Sequence, residues 1–195
     1  MVFAKICGLR EAPHIDAALD AGADAIGFVL TASPRFIDAA SARKLVARAR
    51  NRALTVGVFR GETVDEVERL ATDSGVACIQ LHGNYSSDDV ARLSSLGIPV
   101  IRAVTFTQPS EQLGADILLV DAPRAGSGEE WDYSVMAERA LTGRWLLAGG
   151  LTPGNVASAI AVASPWGVDV SSGVESAPGQ KDATLIRAFL AAAKG

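Results

Sequence analysis

The sequence predicts an α/β fold, a small single-domain (β/α)8 barrel, and three observations point to it. Short Val/Ile/Leu/Phe runs alternate with Ala/Leu/Arg/Glu stretches of helical spacing along all 195 residues, giving eight strands. The turn after the first strand lacks the GxGxxG pattern that an open doubly wound sheet would want. Polar residues gather at the C-terminal ends of the apolar runs, where such barrels carry their sites. About 24 residues per repeat is tight, but enough for a right-handed crossover.

The first strand covers residues 2–7, ends in Cys7 and turns at Gly8. A helix over 13–21 follows, and Gly22 suits the left-handed residue beyond it. The second strand, 25–30, is a continuous apolar run of the kind buried on both faces. A helix over 39–50 leads to a third strand over 54–59. Thr63, with Glu66 three residues on, matches a capping box and opens a helix over 63–73, which Gly75 ends. The fourth strand, 77–81, runs into His82-Gly83. A helix over 87–96 stops at Gly97, and the fifth strand spans 99–104. Only residues 105–116 precede the sixth strand, 117–121, so that crossover is a short helix or none. A helix over 134–141 leads to the seventh strand, 145–148. Thr152-Pro153 places a capping hydroxyl before a helix over 153–163. The eighth strand covers 168–170, and a helix over 182–193 closes the chain. No linker, repeat boundary or low-complexity segment marks a second domain.

Bulk properties narrow the function. A hydrophobic share of 49% against 21% charged residues is the balance of a soluble globular protein. The net charge of −4 does not favour a nucleic-acid surface. No apolar run reaches the length of a bilayer span, and the N-terminus lacks signal-peptide order, so a cytoplasmic setting is expected. There Cys7 and Cys78 stay reduced thiols. With two cysteines without CxxC spacing and two histidines, His14 and His82, no structural metal site is expected.

The strand tips supply the candidate site. Cys7 ends strand one at a place unusual for an inert core thiol. Arg35, in Ser33-Pro34-Arg35 after strand two, has a planar fork suited to a carboxylate or phosphate. Asp121 ends strand six, where an ionised carboxylate is costly unless paired or used. Gly149-Gly150 after strand seven and Ser171-Ser172-Gly173 after strand eight stand where barrels of this kind often hold a phosphate. His82 and Asp169 are further pocket candidates. Lys5 is another; it reads more simply as a buried lysine paired with an acid of a neighbouring strand than as a Schiff-base residue, a role also open to Lys181. Cys78 reads as barrel packing.

The residues also carry a resemblance. The chain resembles the phosphoribosylanthranilate isomerases of tryptophan biosynthesis through Lys5-Ile6-Cys7-Gly8, Gly27-Phe28-Val29-Leu30 with Ser33-Pro34-Arg35, Gln80-Leu81-His82-Gly83, Leu118-Leu119-Val120-Asp121, Gly126-Ser127-Gly128, Ala148-Gly149-Gly150-Leu151-Thr152-Pro153, and Val168-Asp169-Val170-Ser171-Ser172-Gly173-Val174-Glu175 with Lys181-Asp182. These stretches run in family order from end to end. The resemblance implies a cofactor-free Amadori rearrangement of N-(5-phosphoribosyl)anthranilate to 1-(2-carboxyphenylamino)-1-deoxyribulose 5-phosphate. It implies Cys7 as general base, Asp121 as general acid and Arg35 on the anthranilate carboxylate. The partners implied are a phosphorylated small molecule and no nucleic acid or membrane, in a monomer or homodimer.

One departure stands out. The loop after strand six often reads Gly-Ser/Thr-Gly-Lys-x-Phe-Asp-Trp in the family; here it is Gly126-Ser127-Gly128-Glu129-Glu130-Trp131-Asp132-Tyr133, so no ligand contact is carried onto Glu129 or Glu130. Two other readings stay in view. The histidine-pathway isomerase performs the same rearrangement but uses an aspartate where this chain has Cys7. A phosphate-binding barrel without chemistry would not need Cys7 and Asp121 together.

Overall fold

The computed structural model describes residues 1–106, 114–122, 131–139 and 141–195. Eight parallel strands close into a barrel in sequence order. They are β1 (Phe3–Cys7), β2 (Ala25–Val29), β3 (Leu54–Arg60), β4 (Cys78–His82), β5 (Val100–Thr105), β6 (Ile117–Asp121), β7 (Trp145–Leu147) and β8 (Gly167–Val170). Closure is made by β8 pairing with β1, in a register that sets Lys5 beside Asp169 and Ile6 beside Val170. On the other side of β1, Lys5 is registered with Ala25 and Cys7 with Gly27. The expected barrel is the observed one.

Outside lie α1 (Ala12–Asp20), α2 (Ala39–Ala49), α3 (Val64–Ser74), α4 (Ser87–Ser94), α5 (Val156–Ala163) and α6 (Ala183–Lys194). Each turns an apolar stripe to the strands. Phe28, Phe59 and Phe189 are fully buried in the layer between strands and helices, each worth about 1.5–3 kcal/mol of burial. The inward strand positions form a second, smaller core, including Val56, Cys78, Ile101, Ala103, Leu119 and Leu146. Its mostly branched side chains are of the kind that fills such a barrel in layers. Cys78 packs there as expected, and burial pushes its thiol up to about 12. Phe3 stacks on Trp166, ring centroids 4.5 Å apart, at the strands' N-terminal end. Among the described residues no helix is long and apolar enough to cross a membrane.

Local signals explain most boundaries. Thr63 Oγ1 accepts from Glu66 N–H, and the Glu66 carboxylate accepts from Thr63 N–H, so the predicted capping box is formed. A second box, Ser86 with Asp89, was missed. Gly75 takes the left-handed backbone, φ 70°, that ends α3.

Three expectations need correction. The helix expected over 134–141 is a 3-10 helix over Tyr133–Arg139; its entry is set by Asp132, whose Oδ1 accepts from both Ser134 N–H and Ser134 Oγ–H. The helix expected from 153 begins at Val156. Residues 152–155 instead form a turn, in which Asn155 Oδ1 accepts from Thr152 N–H at 2.7 Å and Thr152 O accepts from Val156 N–H. After β8 comes a hairpin that the sequence reading did not include: β9 (Glu175–Ala177) paired antiparallel with β10 (Gln180–Lys181). The expected short crossover between β5 and β6 falls largely on residues outside the described set.

Replacing Thr63 by Ala is expected to lower unfolding free energy by about 1 kcal/mol, the usual value of a helix N-cap. Chemical denaturation measures it, with turnover unchanged because α3 lies on the outer ring.

Candidate active site

The site is a cavity at the C-terminal ends of the strands, lined by Cys7, Arg35, His82, Asp121, Asp169 and the loops around Gly149-Gly150 and Ser171-Ser172, with Gln80, Val58 and Leu119 in its wall. Cys7 and Asp121, far apart in sequence, thus face one space. Cys7 is 6% exposed. Beneath it lies Lys5, fully buried, whose Nζ donates to Asp169 Oδ1 at 2.8 Å. The predicted lysine–acid pairing across neighbouring strands is therefore present. Gly27 makes room for it. A Cβ at Gly27 would lie 2.9 Å from Cys7 Sγ and 3.2 Å from Lys5 Nζ.

The charges set the resting state of the thiol. Burial pushes Cys7 up, and Asp169 adds to that, while Lys5 and Lys181 pull it down without overcoming burial. At neutral pH the thiol form of Cys7 is therefore favoured over the thiolate. Burial works against the Lys5 cation, but with Asp169 as its main counterweight Lys5 is held above the ordinary lysine value. His82 goes the other way: burial, then the cations Lys5, Arg60 and Arg102, push it down to about 3. Its imidazole is neutral at pH 7, with Nε2 at 2.7 Å from the Gln80 amide nitrogen, an arrangement that assigns the proton to Nδ1.

Asp121 ends β6 at 8% exposure, with Oδ1 accepting from Ala122 N–H at 2.8 Å. Gly149, at φ 82°, packs against it. A Cβ there would lie 2.5 Å from Ala122 N and 2.8 Å from Asp121 Oδ1, so only glycine lets the loop after β7 approach the acid.

That loop is held from outside the cavity. Tyr133 Oη–H donates to Gly149 O at 2.9 Å, and Asn155 Nδ2–H donates to Gly150 O at 2.9 Å. In a planar trans peptide the carbonyl and the following N–H point opposite ways, so these anchors fix the N–H directions of Gly150 and Leu151. The loop after β8 continues the rim. Ser171 Oγ–H donates to Cys7 O at 3.2 Å, and a short 3-10 turn over Ser172–Val174 follows. Gly173 stands where any Cβ would overlap Leu151 O; its part is to let the two loops touch.

Arg35 reaches the rim from the turn after β2, where Arg35 N–H donates to Ser33 Oγ at 2.9 Å. Its Nε and Nη2 donate to Glu175 Oε1 and Oε2 at 2.7 and 2.9 Å. Lys181 Nζ donates to Glu175 Oε1 at 2.8 Å and to Ser171 O at 2.7 Å. Lys181 is thus committed to an ion pair, away from the Schiff-base role left open for it. Burial raises the Glu175 pKa, but Arg35 and Lys181 outweigh it and bring it down to about 2.

Comparison with known proteins gives the chemistry a family. A family model described as N-(5'phosphoribosyl)anthranilate (PRA) isomerase matches residues 4–192. The chain belongs to this family. A curated relative, the N-(5'-phosphoribosyl)anthranilate isomerase of Paracoccus denitrificans, is 41% identical over 98% of this chain and 97% of its own length. The solved structure of TrpF from Jonesia denitrificans is 48% identical, covers 100% of this chain and 98% of its own, and superposes with a TM-score of 0.92. A phosphoribosyl anthranilate isomerase solved in complex with reduced 1-(o-carboxyphenylamino)-1-deoxyribulose 5-phosphate is 34% identical, covers both chains fully and has a TM-score of 0.86.

As a phosphoribosylanthranilate isomerase, the chain is an isomerase of tryptophan biosynthesis that carries out the rearrangement implied by its sequence. The isomerase fold brings every predicted site residue to one rim except Gly173, which lies behind it, and Lys5, which lies below. The sequence reading missed Glu175 as the partner of Arg35, and Tyr133 and Asn155 as anchors of the β7 loop. Glu175 stood inside the quoted family stretch, which was its only signal. Gly126, Ser127, Gly128, Glu129 and Glu130 lie outside the described residues. Among the described residues no group of His, Cys, Asp and Glu side chains could hold a metal ion.

In this isomerase, Gly27→Ala is expected to displace the Cys7 sulfur and lower kcat by about 10²-fold, the penalty of a roughly 1 Å misplacement. Steady-state kinetics check it, with circular dichroism confirming that the barrel forms.

Proposed function

We propose that Cys7 is the general base and Asp121 the general acid of the rearrangement, with Arg35 on the anthranilate carboxylate and the Gly149-Gly150 and Ser171-Ser172 loops on the phosphate. One observation carries this reading: Cys7 and Asp121 line the same cavity, together with Gly149-Gly150 and Ser171-Ser172 of the two loops. Lys5, Asp169 and His82 belong to the same site as supporting groups.

The chemistry needs proton transfers alone. Asp121 gives its proton to the ribose ring oxygen as the anilino nitrogen lone pair expels it, breaking the C1–O bond and leaving an open-chain iminium. That cation acidifies the hydrogen on C2. Once the ring is open, the Cys7 thiol proton passes to the Asp121 carboxylate; Cys7, now a thiolate, takes the C2 proton and an enolamine forms. Transfer of a proton to C1 and loss of the enol proton give the ketone, leaving Cys7 as thiol and Asp121 as acid, the state in which the cycle began. No electrons change hands, so no redox cofactor has a step to serve. The thiolate is needed only after the iminium exists. Lys5 beneath and the iminium above then supply the stabilisation that the resting thiol lacks. A cytoplasmic setting, where both cysteines stay reduced, is part of this reading.

Three measurements test it. Consumption of fluorescent phosphoribosylanthranilate by the purified protein, with nothing added, is expected at rates typical of enzymes. Cys7→Ala and Asp121→Ala should each lower kcat by about 10²–10⁴-fold, with product binding retained; normal kcat in either variant removes that assignment. Thiolate absorbance, taken as wild type minus Cys7→Ala, should titrate above the ordinary thiol value of 9.0 in the unliganded protein. A midpoint below 8 would contradict a resting thiol.

A further inference from the structure

An arginine fork has two edges, each able to grip a carboxylate with two parallel N–H donors. Glu175 occupies the Nε edge of Arg35, with bonds of 2.7 and 2.9 Å. The other edge, Nη1 with the second Nη2 hydrogen, makes no hydrogen bond among the described residues, and Arg35 lines the cavity.

Glu175 is itself immobilised. Lys181 Nζ and Gly179 N–H both donate to its carboxylate, at 2.8 and 3.1 Å, and its side chain is 4% exposed. The stem of Arg35 is confined as well, because it crosses Gly8, where a Cβ would lie 2.8 Å from Arg35 Cδ. A buried acid beside a carboxylate-binding arginine is unfavourable by charge alone. Lys181 offsets it, so Arg35, Glu175 and Lys181 together carry one net positive charge. The acid therefore adds nothing to attraction; what it supplies is direction, at a side chain whose rotamer entropy would otherwise oppose binding.

We propose that Glu175 is a positioning residue that turns the free edge of Arg35 toward the ring carboxylate of the substrate, while Lys181 cancels the repulsion Glu175 would exert. This deepens the reading above and rests on its assignment of Arg35.

The test compares two substrates formed from ribose 5-phosphate, one with anthranilate and one with aniline, which lacks the carboxylate. Glu175→Gln keeps the shape but loses the charge-assisted pair. It should raise KM for the anthranilate substrate about tenfold and for the aniline substrate less than about twofold. In an Arg35→Ala background the same substitution should leave the ratio between the substrates unchanged. If Glu175→Gln does not fold, Glu175→Asp, which keeps the charge but is one methylene shorter, should shift the ratio in the same direction. A fall in KM for the anthranilate substrate would show that charge alone acts there. An equal loss on both substrates would show that the ion pair only ties the hairpin down. Either result overturns the proposal, as does an effect that persists without Arg35. If Arg35→Ala itself leaves the substrate ratio untouched, the carboxylate role of Arg35 fails and this proposal with it. If Arg35→Ala collapses the ratio while Glu175→Gln does not, this proposal alone fails.

Discussion

Closure of β8 onto β1 is the constraint from which the site follows. It joins residues separated by most of the chain, and at its centre lies one buried ion pair, Lys5 with Asp169. The register that brings those two together also sets Cys7 next to Ser171, whose hydroxyl bonds the Cys7 carbonyl. A shift of one residue would turn Lys5 and Cys7 out of the barrel interior, because successive strand side chains alternate faces. Cys7 and the Ser171-Ser172 rim are thus placed by one pairing.

The ion pair is poorly explained by stability. Taking two charges out of water is expensive, and well-packed apolar residues in place of such a pair are often neutral or better. Losing one partner alone is another matter, at about 3–5 kcal/mol, because the other charge is stranded. What an apolar replacement could not supply is a cation under the thiol. The same holds for Glu175 and Lys181 at the rim, where two buried charges fix a third that faces the cavity. In both places one charge touches the site and a second, behind it, holds the first in place.

The barrel was legible because its signal is repeated. Eight apolar runs at regular spacing, helices such as α3 with a cap at one end and Gly75 at the other, and a continuous apolar β2 all read the same way from local chemistry. That Cys7, Asp121 and Arg35 would share one cavity was legible because the strand ends and the loops after them meet at one mouth in this fold. What was not legible depends on contacts across the chain. The β9–β10 hairpin has no alternating apolar pattern; Glu175, Lys181 and the bond from Arg10 to Gly179 O hold it instead. The start of α5 was misplaced because the Thr152-Pro153 pair looks like a cap, whereas Asn155, three residues on, folds back on Thr152 and delays the helix. Tyr133 could not be assigned from sequence, since its partner is a backbone carbonyl on another strand's loop.

On the proposed assignment of Cys7 as base, the burial that disfavours its thiolate also makes it selective. At a buried thiol, charge interactions are stronger than in water, so the thiolate is favoured mainly when a positive charge is brought close. On that assignment the open-chain iminium is such a charge, formed only once Asp121 has protonated the ring oxygen, so the acid step creates the cation that makes the base step possible. A neutral thiol leaves the Lys5–Asp169 ion pair undisturbed until a cation brought close favours the thiolate.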